Sequence, residues 1–371
     1  MRHTAVCLNG RFSGTLQPTG TQTSAFHTFD AILKAERNFA IVVFADLRFP
    51  GVNDWRDIPK TKVVPVPFST WSRPRAQLWE QLVLPRAARR HGCALIHHPL
   101  NTSSRLRLGM KHLVTVHDLN FVRHPEWFSL SFRTWMMLTA LPGMRSASYV
   151  ATVSDHVLRE VRTTGRISPA KSARIYNGCK QLPATVEVGN ESNTILALNV
   201  WQPHKNLARL IAAFRLLRVD FPTLRLRIAG RLQAQFRSGP SLAAMLQEPG
   251  ISVLGYLSEI ELAQAYKSAH VFCYPSLEEG FGLPILEALS AGTRVVTSNS
   301  SCLPEIAGGA AILIDPASVP SIAAGLREAL RETPAERAKW ITKGKSVAAS
   351  FSWQQAAQSY LSIYRKLLAT S

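Results

Sequence analysis

Two glutamates flank a pair of glycines in the segment Glu279-Gly-Phe-Gly-Leu-Pro-Ile-Leu-Glu287, and these residue types could bind a phosphorylated ligand. Gly280 and Gly282 allow the backbone to approach such a ligand closely, and a helix directly behind them would present free amides and a positive dipole end. Carboxylates repel a phosphate unless they accept hydrogen bonds from hydroxyl groups, so the acids indicate a sugar or a ribose beside a diphosphate. On spacing alone, a glycine-containing turn with two solvated glutamates is an equal alternative.

The elements around this segment are predicted to be a strand, a loop, a short helix and a second strand. The apolar runs Val271-Phe-Cys-Tyr274 and Arg294-Val-Val-Thr297 predict the two strands. Pro284 suits the first position of the helix, and Gly292 suits its end. Strands and helices alternate on both sides of this unit, which predicts an α/β fold with parallel sheets.

Length and composition limit the class of protein. A chain of 371 residues is long enough for two domains, and 46% hydrophobic with 18% charged residues predicts packed cores. Five scattered cysteines without a Cys-x-x-Cys pair indicate neither a zinc site nor a disulfide framework, so we expect a cytoplasmic location. No apolar run approaches the ~18–20 residues that span a bilayer, and the N-terminus predicts a first strand rather than a signal peptide.

The net charge is strongly basic, at +19. This charge favours an acidic partner, which could be a nucleic acid, an anionic lipid or a phosphorylated small molecule.

The N-terminal half contains two candidate ligand positions. A Gly/Thr-rich loop follows the first strand, with a helix predicted from about residue 25 to 34, and the backbone near Gly20 could approach a diphosphate; a simple surface loop is the alternative. The strand 112–116 ends in His117-Asp118, and a side chain at the carboxyl end of such a strand faces the ligand cleft. The last strand of this half is predicted at 174–178.

A basic segment, residues 73–91, has apolar residues at helical spacing. Its apolar side chains are Leu78, Trp79, Leu82 and Val83, and the flanking arginines include Arg86, Arg89 and Arg90. Such a helix suits the headgroup region of an anionic membrane, although a core helix with a solvated basic end is the alternative. The segment 128–138 is open to the same two interpretations, and a core helix is favoured for it.

The C-terminal half is predicted to begin after a polar linker at 184–193. A strand at 194–200 is followed by a helix that starts near Lys205 and carries Arg209 one turn on. A lysine at a helix start opposes the helix dipole unless an anion is present, so this helix and the glycine loop could converge on one diphosphate.

The segment Glu279–Glu287, continued by Leu303-Pro-Glu305 and Asp315-Pro316, resembles the Glu-x7-Glu motif of the retaining, nucleotide-sugar-dependent glycosyltransferases of GT-B family four. This family includes sucrose and glycogen synthases and many bacterial mannosyltransferases. The string Thr115-Val-His-Asp-Leu119 resembles the acceptor-domain histidine motif of the same family. The resemblance covers nearly the whole chain, most strongly residues 194–316.

The resemblance implies a GT-B architecture, in which two Rossmann-like domains with parallel sheets face a central cleft. The implied domains are an acceptor-binding domain at residues 1–183 and a nucleotide-sugar-binding domain at residues 184–350. Residues 351–371 would form a helix that crosses back to the first domain.

The resemblance also implies roles for particular residues. Lys205 and the loop would stabilise the diphosphate, Glu279 would accept from sugar hydroxyls, Glu287 would accept from ribose hydroxyls, and His117 would contact the transferred sugar. The remaining donor contacts would be Gly20, Arg209, Gly280, Phe281, Gly282, Leu283 and, next to the nucleobase, Leu257.

The chain departs from the family's pattern at one position. The family often has an arginine six residues before the lysine, where this chain has Asn199, and His204 and Arg209 are the candidates to replace it. The family requires no metal or other cofactor.

The string from His117 to Phe128 looks closest to bacterial mannosyltransferases that build surface polysaccharides such as lipopolysaccharide. This implies GDP-mannose as the donor, with a UDP-hexose or dTDP-rhamnose as alternatives. The acceptor would be lipid-linked or an oligosaccharide, and the enzyme would be peripheral at the inner face of the cytoplasmic membrane.

Two other functions remain open. A nucleic-acid-binding protein without catalysis accounts for the charge but not for the paired glutamates. A sugar-nucleotide epimerase on the same architecture is the second.

Overall fold

The computed structural model describes residues 5–15, 18–180, 182–183, 191–198, 202–230 and 244–369. The chain forms two compact units, which are residues 1–178 with 352–371 (the N-terminal unit) and residues 179–351 (the C-terminal unit). The resemblance implied domain boundaries between residues 183 and 184 and between residues 350 and 351. The final helix belongs to the N-terminal unit.

The N-terminal unit is built on a seven-stranded sheet in the order β3-β2-β1-β4-β5-β6-β7. All its strand pairs are parallel, and the central strands are buried along their whole length because helices cover both faces. The strands are β1 Ala5–Gly10, β2 Ile41–Ala45, β3 Thr61–Pro65, β4 Cys93–His98, β5 Lys111–Val116, β6 Tyr149–Thr152 and β7 Ser172–Arg174.

The described part of this unit contains six helices, and the last of them comes from the C-terminal end of the chain. They are α1 Gly20–Lys34, α2 Arg73–Arg90, α3 Asn120–Arg123, α4 Leu130–Ser146, α5 Asp155–Thr163 and α12 Trp353–Ala369. Helix α12 packs beside α1 in the hydrophobic core, where Leu361 and Tyr364 are fully buried. Its hydroxyl groups also reach the sheet, because Tyr360 hydrogen-bonds Thr115 at 2.9 Å and Tyr364 hydrogen-bonds His97 at 2.5 Å.

The C-terminal unit is built on a six-stranded parallel sheet in the order β10-β9-β8-β11-β12-β13. The strands are β8 Glu191–Leu198, β9 Arg225–Ala229, β10 Ile251–Gly255, β11 Ala269–Tyr274, β12 Arg294–Ser298 and β13 Ile312–Ile314. The helices that pack on it include α6 Leu207–Asp220, α7 Glu259–Ser268, α8 Leu283–Ala291, α9 Leu303–Ala307, α10 Val319–Arg331 and α11 Pro334–Ala349.

Several local predictions differ from the structure. Helix α1 begins at Gly20 rather than near residue 25, because Thr19 and Gln22 form a capping box that starts the helix earlier. The last strand of the N-terminal unit is Ser172–Arg174, so it ends where the prediction began it. Helix α11 was not predicted.

Candidate functional site

The strand order of the C-terminal unit reverses between β8 and β11, which are hydrogen-bonded neighbours whose connections run in opposite directions. In open α/β sheets, ligands bind beyond the carboxyl ends of the strands at such a switch point. Lys205 follows β8 in the chain and Glu279 follows β11. The topology therefore brings these two predicted site residues to the same edge of the sheet.

The loop after β11 enters helix α8 through a left-handed residue. Gly282 is the N-cap with φ of +95°, and a Cβ there would lie 3.0 Å from the Leu303 side chain, so glycine is required. Pro284 lies in the first turn, and Gly292 ends the helix at φ of +80°. Gly282 has no side chain that could accept from the first-turn amides of α8, and the start of a helix favours a nearby anion. The predicted strand, loop, helix and strand are confirmed.

Lys205 lies in a short 3-10 turn, Pro203–Lys205, just before α6. The sequence placed it at the start of the helix, but Asn206 takes a left-handed conformation and the helix begins at Leu207. The Asn206 side-chain amide donates to the carbonyl groups of Pro275 and Pro316, at 3.0 and 2.7 Å. These hydrogen bonds fix the turn that carries Lys205 against the loop that carries Glu279.

Lys205, Glu279 and Tyr274 form a hydrogen-bonded cluster. The Lys205 ammonium lies 2.5 Å from a carboxylate oxygen of Glu279 and 2.6 Å from the Tyr274 hydroxyl. Burial raises the pKa of Glu279, but the charges of Lys205 and His204 and hydrogen bonds from Lys205 and Ser276 outweigh it, so the net shift is downward. Glu279 is therefore ionised at neutral pH, and the cluster holds a carboxylate beside a cation at the sheet edge.

Glu287 lies one turn into α8, in a different environment from Glu279. Burial raises its pKa, while a hydrogen bond from the Tyr266 hydroxyl at 2.9 Å and the charge of Lys180 oppose the shift. The two acids of the motif are thus held by different partners, one by an ammonium and the other by a phenol.

The remaining predicted residues of this unit have separate surroundings. Arg209 is exposed, and its guanidinium donates to the Asn206 side-chain oxygen at 3.0 Å. Phe281 is buried edge-to-face against Phe351, with ring centres 5.9 Å apart. Leu257 is half-buried just after the edge strand β10. Asn199 lies outside the described residues.

His117 follows β5 in the N-terminal unit and is buried. Its Nε2 lies 2.8 Å from the Pro99 carbonyl oxygen, which only accepts, so Nε2 carries the proton and Nδ1 carries the lone pair. Burial lowers the pKa of His117 to about 4. At neutral pH the ring is therefore an uncharged acceptor at Nδ1. Asp118 accepts from the Asn120 backbone amide at 3.1 Å and so contributes to the loop.

Gly20 is the first residue of α1 rather than part of a loop. A Cβ at this position would meet nothing within 4 Å, so packing does not require glycine. Its role as a donor contact stays a prediction.

The exposed face of α2 is formed by leucines and arginines. Leu78 is 57% exposed, and Leu82, Val83, Arg86, Arg89 and Arg90 are also exposed. The inclusion of Trp79 in this face was wrong, because its ring is buried against Phe44 and Phe68. The one acid of the helix, Glu80, is also buried, in an ion pair with Arg11.

Helix α4 also exposes apolar side chains. Leu130, Phe132, Met137 and Leu138 are exposed, although a core helix was favoured for this segment. Within the described parts of the chain, no helix combines the length and apolarity that a membrane crossing requires.

Sequence reasoning missed three side chains that position the site, namely Asn206, Tyr266 and Tyr274. Asn206 could have been recognised as a left-handed residue before an amphipathic helix. The two tyrosines had no such signal, because their partners lie 21 and 69 residues away in the chain.

Comparison with known proteins follows the same division of the chain. Residues 20–180 match the model of Glycosyltransferase Family 4, and residues 181–347 match that of Glycosyl transferases group 1. The chain is 29% identical over 271 residues to O-antigen chain mannosyltransferase B of Escherichia coli, covering 69% of this chain and 70% of that protein. It is 32% identical over 234 residues to MMP alpha-(1->4)-mannosyltransferase of Mycolicibacterium hassiacum, covering 61% and 56%.

Solved structures share the fold over the whole chain. Sucrose-phosphate synthase from Thermosynechococcus elongatus superposes with a TM-score of 0.77 at 18% identity, covering 99% of this chain and 100% of that one. HepE of Anabaena, in complex with UDP-glucose, gives a TM-score of 0.72 at 16% identity, with 100% of both chains covered. Two Rossmann-like units with parallel sheets define the GT-B class of fold. The chain therefore contains a Glycosyltransferase Family 4 domain followed by a Glycosyl transferases group 1 domain.

Proposed function

We propose that this glycosyltransferase is a retaining mannosyltransferase, which moves mannose from GDP-mannose to a lipid-linked or oligosaccharide acceptor in surface polysaccharide synthesis. The observation that carries the proposal is the Lys205–Glu279 pair, beside an α8 N-terminus that has no side-chain cap. A cation and helix amides suit a diphosphate, and an ionised carboxylate suits sugar hydroxyls. The names of both curated relatives support the mannosyl group.

The chemistry requires stabilisation of charge on the leaving group. Breaking the bond between the anomeric carbon and the phosphate oxygen leaves an oxocarbenium-like sugar and a negative nucleoside diphosphate. Lys205, with the loop amides of Gly280 to Leu283, would stabilise that diphosphate. Glu279 and Glu287 would accept from sugar and ribose hydroxyls and so hold the donor in place.

Retention of configuration follows if the acceptor attacks from the face that the diphosphate leaves. A leaving phosphate oxygen would take the acceptor proton while the acceptor oxygen bonds to the anomeric carbon. The products are then the glycoside and a protonated nucleoside diphosphate. This route uses no metal or other cofactor. We keep His117 as the proposed sugar contact, because a neutral imidazole can accept from a hydroxyl without a charge penalty.

Another sugar nucleotide is the second candidate for the donor. The HepE structure contains UDP-glucose, which supports a UDP-hexose, and dTDP-rhamnose is the remaining choice.

A transfer assay tests the reaction class and the donor. The enzyme is incubated with GDP-mannose, UDP-glucose or dTDP-rhamnose and a lipid-linked oligosaccharide, and the anomeric configuration of the product is read by NMR. We expect a mannoside with the configuration of the donor. An inverted product would overturn the retaining mechanism, and isomerisation of the donor without acceptor would favour an epimerase. Salt-sensitive DNA binding without transfer would favour the nucleic-acid alternative.

We also propose that the exposed faces of α2 and α4 bind an anionic membrane surface. Apart from the buried Glu80, neither helix contains an acid, and both expose apolar side chains beside arginines. Apolar residues can enter the headgroup region while the arginines meet lipid phosphates. This binding would place the enzyme at the inner face of the cytoplasmic membrane, next to a lipid-linked acceptor.

Reversing three charges on α2 is expected to weaken membrane binding. Each basic residue near an anionic surface contributes about 1 kcal/mol, so Arg86→Glu, Arg89→Glu and Arg90→Glu together should reduce the partition coefficient by about 100-fold or more. Co-sedimentation with vesicles of phosphatidylglycerol and phosphatidylcholine measures this. The control carries the same charge change on α11, as Lys339→Glu, Lys343→Glu and Lys345→Glu, three exposed positions of the C-terminal unit. Equal loss in both triple variants would mean that net charge alone matters and that α2 is not the membrane face.

A further inference from the structure

Tyr266 is a fully buried tyrosine of α7 whose hydroxyl group contacts the motif acid Glu287. Its side chain is 0% exposed, and the hydroxyl donates to Oε2 of Glu287 at 2.9 Å. The ring packs edge-to-face on Phe272, with centroids 5.3 Å apart, and the Thr293 hydroxyl donates to the Tyr266 backbone carbonyl at 2.6 Å. Ring and backbone are both held, so the position of the hydroxyl group is set by the fold.

The other groups that face Glu287 do not replace this hydrogen bond. Lys180 and Glu259 act on Glu287 through their charges, and they form an ion pair with each other. The Cys179 thiol also lies near Glu287, and its pKa is raised to about 11 chiefly by burial, so it is uncharged. Tyr266 itself is neutral, because burial and the charge of Glu287 raise its pKa well above the usual value. The Tyr266 hydroxyl group therefore stays protonated at neutral pH and donates its hydrogen bond to Glu287.

The two oxygens of the Glu287 carboxylate have different roles in this geometry. Oε2 accepts from Tyr266, which leaves Oε1 to accept from a ligand. A hydrogen bond to one oxygen fixes the rotation of the carboxylate and so the direction in which the other oxygen points. A donated hydrogen bond also favours the ionised form against the burial that raises the pKa of Glu287.

We propose that Tyr266 is a positioning residue for nucleotide recognition, which aims Glu287 at the ribose hydroxyl groups of the donor. This inference rests on the proposed function, because it takes Glu287 as the ribose contact. Tyr266 would then govern affinity for the nucleotide rather than the rate of the bond-breaking step.

The variant Tyr266→Phe removes the hydroxyl group and keeps the ring. We expect the Kd for GDP, or for UDP if UDP is the nucleotide bound, to rise about ten- to a hundredfold, as for a lost hydrogen bond to a charged group. The donor KM should rise with little change in kcat, and the acid limb of nucleotide binding should move to higher pH. The matched control is Tyr360→Phe in the N-terminal unit, which also removes a buried hydroxyl with a 2.9 Å hydrogen bond, to Thr115.

Three comparisons by calorimetry decide the inference. With 2′,3′-dideoxy-GDP as the probe, or the dideoxy form of UDP, the difference between wild type and Tyr266→Phe should disappear. Adding Tyr266→Phe to Glu287→Gln should cost less than it costs in the wild type. Equal affinities of wild type, Tyr266→Phe and Tyr360→Phe for the ribonucleotide would overturn the role of Tyr266 and leave the proposed function intact. Failure of the wild type to bind either GDP or UDP would overturn both.

Discussion

Replacing Lys205 with alanine is expected to lower the rate of glycosyl transfer by about 10²–10³-fold, the usual cost of one lost group that stabilises transition-state charge. The structure holds this ammonium within 2.6 Å of both Glu279 and Tyr274, on a turn that Asn206 fixes against the glycine loop. Its position is therefore set before a ligand binds. Steady-state kinetics with GDP-mannose, and with UDP-glucose if that is the donor, measure the change in kcat/KM.

Two further variants separate the lysine's charge from its structural role. Lys343→Ala in α11 removes a lysine that lies over the ring of Trp340, as Lys205 lies over the ring of Tyr274, and should leave transfer unchanged. The double variant Lys205→Ala with Glu279→Gln avoids leaving an unpaired buried carboxylate and should remain as slow as Lys205→Ala alone. Recovery of transfer in the double variant, or near-normal turnover of Lys205→Ala, would contradict the assignment of Lys205 to the leaving group.

Acidification below about pH 6.5 is expected to destabilise the N-terminal unit steeply. His97, His98, His112 and His117 are buried there, and burial lowers the pKa of each of them. Their folded forms stay neutral while the unfolded chain binds protons near its ordinary pKa of about 6.5. Stability is thus fully present above that pH and is lost as the pH falls.

The hydrogen bonds of this cluster are consistent with neutral rings. His98 lies 3.1 Å from Glu80 through Nδ1 and 3.1 Å from His112 through Nε2. If Nδ1 of His98 donates to the carboxylate, its Nε2 accepts from His112 and no extra proton is needed. Each of these histidines that stays neutral in the folded chain gives the free energy of unfolding a slope of about 1.4 kcal/mol per pH unit once the unfolded chain is protonated.

Hydrogen exchange followed by mass spectrometry at pH 7.5, 6.5 and 5.5 measures the effect in each unit separately. Amides of β4 and β5 should lose protection as the pH falls, after correction for the intrinsic exchange rate. Amides of β8 and β9 serve as the internal control, because the two histidines of the C-terminal unit, His204 and His270, lie on neither strand. Equal sensitivity of the two units, or full protection of β4 and β5 at pH 5.5, would contradict this explanation.

The sequence was sufficient for the elements with strong local signals. The strand, loop and helix around Gly282 follow from an apolar run, a proline and two glycines, and each of these acts within a few residues. The GT-B architecture came from the resemblance of the Glu279–Glu287 segment to a family rather than from periodicity.

The errors arose where long-range contacts override local pattern. Periodicity marked Leu78, Trp79 and Leu82 as one apolar face of α2, but tertiary packing buries the tryptophan and exposes both leucines. The hydrogen bond from Tyr266 to Glu287 joins two helices, and the residue spacing within either helix does not predict it. Neither fact can be read from one segment, because each depends on which surfaces the fold brings together.

A thermal-shift panel of sugar nucleotides tests the central claim most directly, because only a ligand that binds the folded chain raises its melting temperature. Wild type and Glu287→Ala are compared with GDP-mannose, UDP-glucose and dTDP-rhamnose. We predict that GDP-mannose stabilises the wild type by several degrees at about 100 times its Kd and stabilises Glu287→Ala much less at the same concentration. Stabilisation by none of the three, or equal stabilisation of the variant, would contradict a sugar-nucleotide site formed by Lys205, Glu279 and Glu287.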